Sequence, residues 1–177
     1  MRTIAKYGYA ATTLERIAEE IGMSRGHVRH YVGNRENLIR AAAQTYYFGE
    51  TGKEHFWPAE ITSVSAAVEY LFSKEFIGTR EENALIFGFI EAARNDSEIS
   101  QILIKAYLGA EKELAALLQS EHPNEPQAKL KQIAFGVVSM AIHNVFLLDI
   151  SSQAKTTSLA KSSANLIIST LTEKKEK

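Results

Sequence analysis

Apolar residues recur every three to four positions through most of the chain, which is the spacing of one face of an α-helix. The helices predicted after residue 60 lie at about 62–77, about 79–94, from 96 or 97 to about 117, about 125–148 and about 156–171. Runs typical of β-strands are almost absent, and Pro58, Pro123 and Pro126 all fall in predicted connections. The pattern therefore predicts an all-α fold of about nine helices.

Two short helices joined by a tight turn are predicted near the N-terminus. Thr12 lies three residues before Glu15, which is the spacing of a capping box at the start of a helix. The apolar face of this helix consists of Leu14, Ile17, Ala18 and Ile21. Gly22 suits a left-handed helix end, and Ser24 is the predicted N-cap of a second helix that reaches about Tyr31. This organisation is that of a helix-turn-helix.

The second of these helices is small and basic. Its exposed positions are predicted to be Arg25, Gly26, His27, Arg29 and His30. A short helix of this kind can place its N-terminal residues in the major groove of double-stranded DNA. Asn34 is then the predicted N-cap of a longer helix.

The same residues resemble the N-terminal motif of the TetR family of transcriptional repressors. The matching positions are Gly8, Thr12, Thr13, Ile17, Ala18, Gly22, Met23, Ser24, Gly26, Val28, Tyr31, Val32, Arg35 and Leu38. The resemblance implies a three-helix DNA-binding head over residues 1–48 and a helical ligand-binding and dimerisation body over residues 49–177. It also implies a double-stranded DNA operator as the partner of the head.

The chain departs from the family pattern in its second helix and at its start. Arg29 replaces a tyrosine that usually contacts phosphate, and Val32 replaces a phenylalanine. Arginine can contact a phosphate through two N–H groups, so DNA affinity is expected to persist with altered geometry. The first helix, which ends near Tyr7, is about two turns shorter than usual in the family. Either the chain is an N-terminally shortened product, or its head is less stable than those of its relatives.

The resemblance implies a set of DNA contacts. Thr13 would donate to a phosphate, while Arg25 and His27 would face base edges and Gly26 would allow close approach. An arginine at this position most naturally reads guanine O6 and N7. The residues expected to hold the DNA backbone are Arg29, His30, Tyr31 and Arg35, the last in place of the usual lysine.

Two of these positions allow a different interpretation. His27 and His30 have the spacing of a metal-binding pair on a helix, but no nearby acid or third imidazole completes a site. No metal site is therefore expected. The ring of Tyr31 could pack in the small core of the head, and this role is compatible with a phosphate contact.

Charge is distributed unevenly along the chain, although its net value is only −1. Residues 1–53 contain eight Lys or Arg against five acids, and the remainder contains twelve against sixteen. A basic N-terminal part fits DNA binding at one end, although a difference of this size could also arise by chance. The chain contains no cysteine, and its most apolar stretch, 134–150, is interrupted by polar residues. A soluble cytoplasmic protein without a membrane span is expected.

The last two predicted helices, about 125–148 and 156–171, are the expected homodimer interface. The first is apolar on more than one face and so needs partners on both sides. Ala160, Ser163 and Ala164 would let helices of an intermolecular four-helix bundle approach closely. The alternative is a monomeric bundle of nine helices with residues 125–148 at its centre.

The body is expected to contain a pocket for an apolar or amphipathic small molecule. The candidate lining residues are Trp57, Phe72, Phe76, Phe89, Tyr107, His143, Asn144 and Phe146, although ordinary core packing is an alternative for each aromatic residue. His143 and Asn144 interrupt an apolar helix, so a buried polar group there needs a partner. That partner could be a ligand, a water molecule or a group across the dimer interface.

Together these features predict a ligand-responsive transcriptional regulator, a repressor that a small molecule releases from a palindromic operator. The alternative is a helical ligand-binding dimer that has lost specific DNA binding. An enzyme is not expected, because no histidine follows a glutamate by three residues and no glycine-rich phosphate loop or nucleophile elbow is present. No cofactor is expected.

Overall fold

The computed structural model describes residues 1–49, 56–151 and 155–171, and ten α-helices and no strand lie within these ranges. The helices are α1 Arg2–Tyr7, α2 Leu14–Ile21, α3 Arg25–Val32, α4 Arg35–Phe48, α5 Val64–Leu71, α6 Lys74–Ile77, α7 Arg80–Ala93, α8 Ser97–Glu121, α9 Gln127–Ile150 and α10 Thr157–Ile168. The all-α prediction is confirmed. One predicted helix is two, because Ser73 accepts a hydrogen bond from the Phe76 N–H and begins α6 separately.

Side-chain caps start most of these helices. Thr79 and Glu82 have the spacing of a capping box, and both of its hydrogen bonds are present. Asp96, one of the two residues predicted to cap α8, accepts from the N–H groups of Glu98 and Ile99. Short polar side chains therefore define where helices begin in this chain.

The capping box predicted at Thr12 is wrong by one residue. Thr13 is the N-cap of α2, and its hydroxyl accepts from the Arg16 N–H at 3.3 Å. The hydroxyl of Thr12 is buried and donates instead to the Gly8 carbonyl at 2.8 Å. Thr12 and Thr13 have identical side chains, so the sequence alone does not show which of them caps the helix. Because Thr12 is buried, Thr13 is the N-cap.

The described residues form two compact units, and the first comprises residues 1–49 and 79–106. Helix α1 packs on α7 in this unit, with Ile4 only 2% exposed. Gly88 on α7 makes this close packing possible, since a Cβ added there would lie 2.4 Å from Cγ2 of Ile4. The short first helix is therefore held by a specific contact with a helix far along the chain.

Replacing Gly88 by alanine is expected to lower the free energy of unfolding by about 1–3 kcal/mol, because the added methyl group overpacks a buried contact. Chemical denaturation measures the change. Gly109→Ala is the control: Gly109 lies within α8 with no atom within 4 Å of an added Cβ. There, alanine should stabilise the helix by up to about 1 kcal/mol. A stabilising Gly88→Ala would contradict the packing.

The second compact unit comprises the described residues of 56–78 and 107–171. Helix α9 supplies much of its core, with Leu130, Ala134 and Val137 fully buried. Ala164 on α10 is 0% exposed and belongs to the same core. At least at Ala164, the small residues expected at a dimer interface serve packing within one chain.

Within the described ranges, α9 alone is long and apolar enough to cross a membrane by length and composition. The helix has 24 residues and so extends well beyond the apolar stretch 134–150, which alone would be too short to span a bilayer. The core helix of a soluble protein meets the same criterion, and α9 contributes buried residues such as Leu130 and Val137 to the core of the second unit.

Candidate DNA interface

Helices α2 and α3 and the turn between them have the predicted helix-turn-helix form. Gly22 adopts the left-handed conformation, with φ 68° and ψ 28°. Ser24 caps α3, its hydroxyl accepting from the His27 N–H at 3.2 Å. Val28 is the buried residue of α3 and fixes which face of the helix is turned inward. The other positions of α3 are exposed, apart from the half-buried Val32.

The exposed face of α3 contains every residue of this helix that was predicted to contact DNA. These residues are Arg25, Gly26, His27, Arg29, His30 and Tyr31. Tyr31 is 74% exposed and its ring meets His30 edge-on at 5.6 Å, so core packing of Tyr31 is excluded. His27 and His30 are both exposed, and no group of three or more possible metal ligands occurs in the part of the chain that the structure describes.

Arg35 lies in the same unit but has a different environment from that of the α3 residues. Its guanidinium donates to the carbonyl oxygens of Tyr9 and Thr12 and lies 4.3 Å from the centre of the Tyr9 ring. Arginine can hold two carbonyls at once because its N–H groups form a planar fork, whereas lysine has one nitrogen. Arg35 thus ties the start of α4 to the loop that precedes α2.

Arg35→Ala is expected to destabilise the protein by about 1–3 kcal/mol, because two carbonyls lose charge-assisted hydrogen bonds. Arg35→Lys retains the charge but not the fork, and should restore only part of this loss. Urea unfolding measures both. If Arg35→Ala left stability unchanged and only reduced the salt dependence of DNA binding, Arg35 would be a phosphate contact and not an anchor of the loop.

An ion pair that was not predicted from the sequence joins the two helices of the motif. Arg25, the first residue of α3, places Nε 2.8 Å from Oε1 of Glu15 in the first turn of α2. The pKa of Glu15 is held below its ordinary value, first by a backbone hydrogen bond and then by the Arg25 charge and the Thr13 hydroxyl. Glu15 is therefore ionised at neutral pH beside a residue predicted to read bases.

A second unpredicted cluster joins α4 to the start of α8 in the first unit. Nε of Arg40 donates to Asp96 at 2.8 Å, and Nη1 lies 2.9 Å from Glu98. Burial raises the pKa of Asp96, but the hydrogen bonds from Arg40 and the Ile99 N–H outweigh it and hold the pKa below its usual value. Asp96 therefore both caps α8 and binds Arg40 of α4.

The predicted ligand-binding residues do not come together in one compact unit. Trp57 and Phe72 are buried in the core of the second unit, Tyr107 is half-buried there, and Phe89 is buried in the first unit. His143 and Phe146 are exposed on α9, with their rings stacked at 6.5 Å. A groove of about 700 Å³ along α8 and the start of α9 is lined by none of them.

Asn144 is buried, and its polar partners belong to its own chain. Oδ1 accepts from the Thr156 hydroxyl at 2.7 Å, and Nδ2 donates to the Thr157 hydroxyl at 3.2 Å. The partner is therefore not one of the three expected from the sequence, a ligand, a water molecule or a group across the dimer interface, but the start of α10. Asn144 on α9 therefore holds the start of α10.

Comparisons with known proteins agree with this architecture. Residues 1–42 match the family model described as bacterial regulatory proteins, tetR family. A solved structure from Pseudomonas aeruginosa PAO1, provisionally described as a transcriptional regulator, has the same fold with a TM-score of 0.75 and 15% sequence identity. The similarity covers 95% of this chain and 84% of the other. No curated protein matches the sequence significantly.

Proposed function

We propose that the chain is a transcriptional regulator of the TetR family and that it binds a palindromic operator in double-stranded DNA as a homodimer. The observation that supports this proposal is the exposed basic face of α3, which follows a tight glycine turn and a buried Val28. Two such helices about 34 Å apart could read successive turns of the major groove.

The DNA contacts follow from the positions of exposed side chains. We assign base contacts to Arg25 and His27, with Gly26 allowing close approach of the backbone. Thr13, at the N-terminus of α2, would contact a phosphate, where the helix dipole favours a negative charge. Backbone contacts are assigned to the three remaining exposed residues, Arg29, His30 and Tyr31.

Dimerisation is assigned to the outward faces of α9 and α10. Leu159 and Leu166, seven residues apart on α10, are each 69% exposed, and Phe135 on α9 is 60% exposed. Large exposed apolar side chains of this kind mark interaction surfaces, and a two-fold dimer would cover the same set in both subunits. We accordingly assign DNA binding to residues 1–48, and dimerisation and ligand binding to residues 49–177.

The regulatory role that we propose is repression relieved by a small molecule in the cytoplasm. The dimer would have one conformation whose two DNA-binding heads fit adjacent major grooves and another whose heads do not. A ligand can release the protein from the operator only if it binds the second conformation more tightly than the first. Trp57, Phe72 and Tyr107 in the second unit remain the candidates for lining its pocket. We assign the chain no catalytic activity and no cofactor.

Selection of bound fragments from sheared genomic DNA tests the proposal, with the recovered sites titrated at two salt concentrations. A palindrome whose affinity falls steeply with salt is expected, because each neutralised phosphate contributes a slope of about −0.9. Arg25→Ala should relax preference at one base pair per half-site. Arg80→Ala, at the corresponding first position of α7, is the control. Binding without sequence preference would favour the alternative, a ligand-binding dimer that no longer reads DNA.

A further inference from the structure

The ion pair between Glu15 and Arg25 places an acid beside an arginine assigned to base reading. The helix-turn-helix brings the first turn of α2 against the first residue of α3, although ten positions separate the two residues in sequence. An acid on a DNA-binding face repels phosphate, so its presence there needs a reason. The inference that follows rests on the proposed operator binding.

The geometry of the pair leaves Arg25 able to bind a base. The carboxylate approaches the guanidinium at Nε, at 2.8 Å, and Arg25 forms no other ion pair within the described residues. The side chain is 62% exposed, and its contact with the carboxylate is made at Nε and not at Nη1 or Nη2. These two groups can donate side by side to O6 and N7 of guanine, as bidentate recognition requires.

We propose that Glu15 is a positioning residue that makes Arg25 selective for guanine. Glu15 binds the Nε side of the Arg25 guanidinium and so restricts the rotamers of the Arg25 side chain. The N–H groups of Nη1 and Nη2 then face the base side by side. An unrestrained Arg25 could turn to a nearby phosphate, which would retain affinity but carry no sequence information. Glu15 thus disfavours that alternative contact by repelling the phosphate, at some cost in total affinity.

Glu15→Gln is the test, because it removes the charge and keeps the size of the side chain. Affinity is measured for the selected operator and for variants with each base pair of the half-site changed. We expect Glu15→Gln to bind every sequence somewhat more tightly but to lose about threefold to fivefold of its discrimination at one guanine, in keeping with an exposed ion pair. Thermal unfolding of Glu15→Gln should show only a small loss of stability, because one exposed acid in the first turn of α2 is neutralised.

Glu19→Gln is the matched control, since Glu19 is an exposed acid on the same helix. It should raise affinity for all sequences without changing discrimination. In a double-mutant cycle, Glu15→Gln should have no further effect on base preference once Arg25 is alanine. Identical discrimination profiles for the two glutamine variants, or additive effects in the cycle, would overturn the inference. Failure of the wild type to select any operator would instead refute the proposed function.

Discussion

Replacing Leu159 and Leu166 together by glutamate is expected to convert the protein into a monomer and to abolish high-affinity operator binding. Both side chains are 69% exposed in the single chain, so the change should leave the fold intact. In a two-fold interface, each substitution occurs twice, and four carboxylates would have to be buried without partners. The dimer dissociation constant should rise roughly 100-fold or more, since burying an unpaired charge costs several kcal/mol.

Sedimentation equilibrium measures the assembly, and titration of the palindrome measures the effect on DNA binding. Leu108→Glu is the matched control, because Leu108 is 56% exposed on α8, outside the assigned interface. It should remain dimeric. If the Leu159→Glu/Leu166→Glu variant stays dimeric, the interface lies elsewhere. If the variant is a monomer that still binds the full palindrome tightly, the operator is not recognised by the two DNA-binding heads of a dimer.

Asn144→Ala is expected to destabilise the protein by about 2–4 kcal/mol, the second large effect. The substitution removes the acceptor of the Thr156 hydroxyl and the donor to the Thr157 hydroxyl in a site where Asn144 is 1% exposed. It also leaves a small cavity beside α10. Because Asn144 fixes the start of the helix that contains Leu159 and Leu166, dimerisation should weaken together with stability.

The free energy of unfolding of Asn144→Ala, measured with denaturant, is compared with that of Asn165→Ala. The comparison distinguishes the loss of the buried hydrogen bonds from the loss of any asparagine side chain. Asn165 is exposed on α10, and its replacement should change stability by less than about 0.5 kcal/mol. Equal stability of the two variants would mean that the hydrogen bonds to Thr156 and Thr157 contribute little. A selective loss of response to an effector, with stability unchanged, would instead favour Asn144 as a ligand contact.

Local features of this chain were predictable from sequence because they depend on neighbours a few residues apart. The cap at Ser24, the left-handed Gly22 and the capping box at Thr79 each involve positions within one helical turn. Even here, the choice between Thr12 and Thr13 depended on burial. The exposed residues of α3 followed from the same helical spacing once Val28 was assigned inward.

Contacts between distant residues were not predictable in this way. Arg35 reaches carbonyls 23 and 26 positions away, and Arg40 reaches an acid 56 positions away. Charged side chains on helices are usually solvated, so nothing in the local pattern distinguishes these from exposed residues. The aromatic residues expected around one pocket are divided between the two units. Helical spacing indicates which side of a helix is apolar but not which helix packs against it.

The close packing of Ile4 against Gly88 limits how the chain can be divided. A fragment that ends at residue 48 retains the helix-turn-helix but loses α7, and with it the surface that buries Ile4. Fusing these residues alone to the C-terminal domain of another regulator would therefore transfer the DNA-reading surface without the contact with α7 that stabilises α1. A chimaera that changes the operator preference of a related regulator should exchange α7 along with the N-terminal helices.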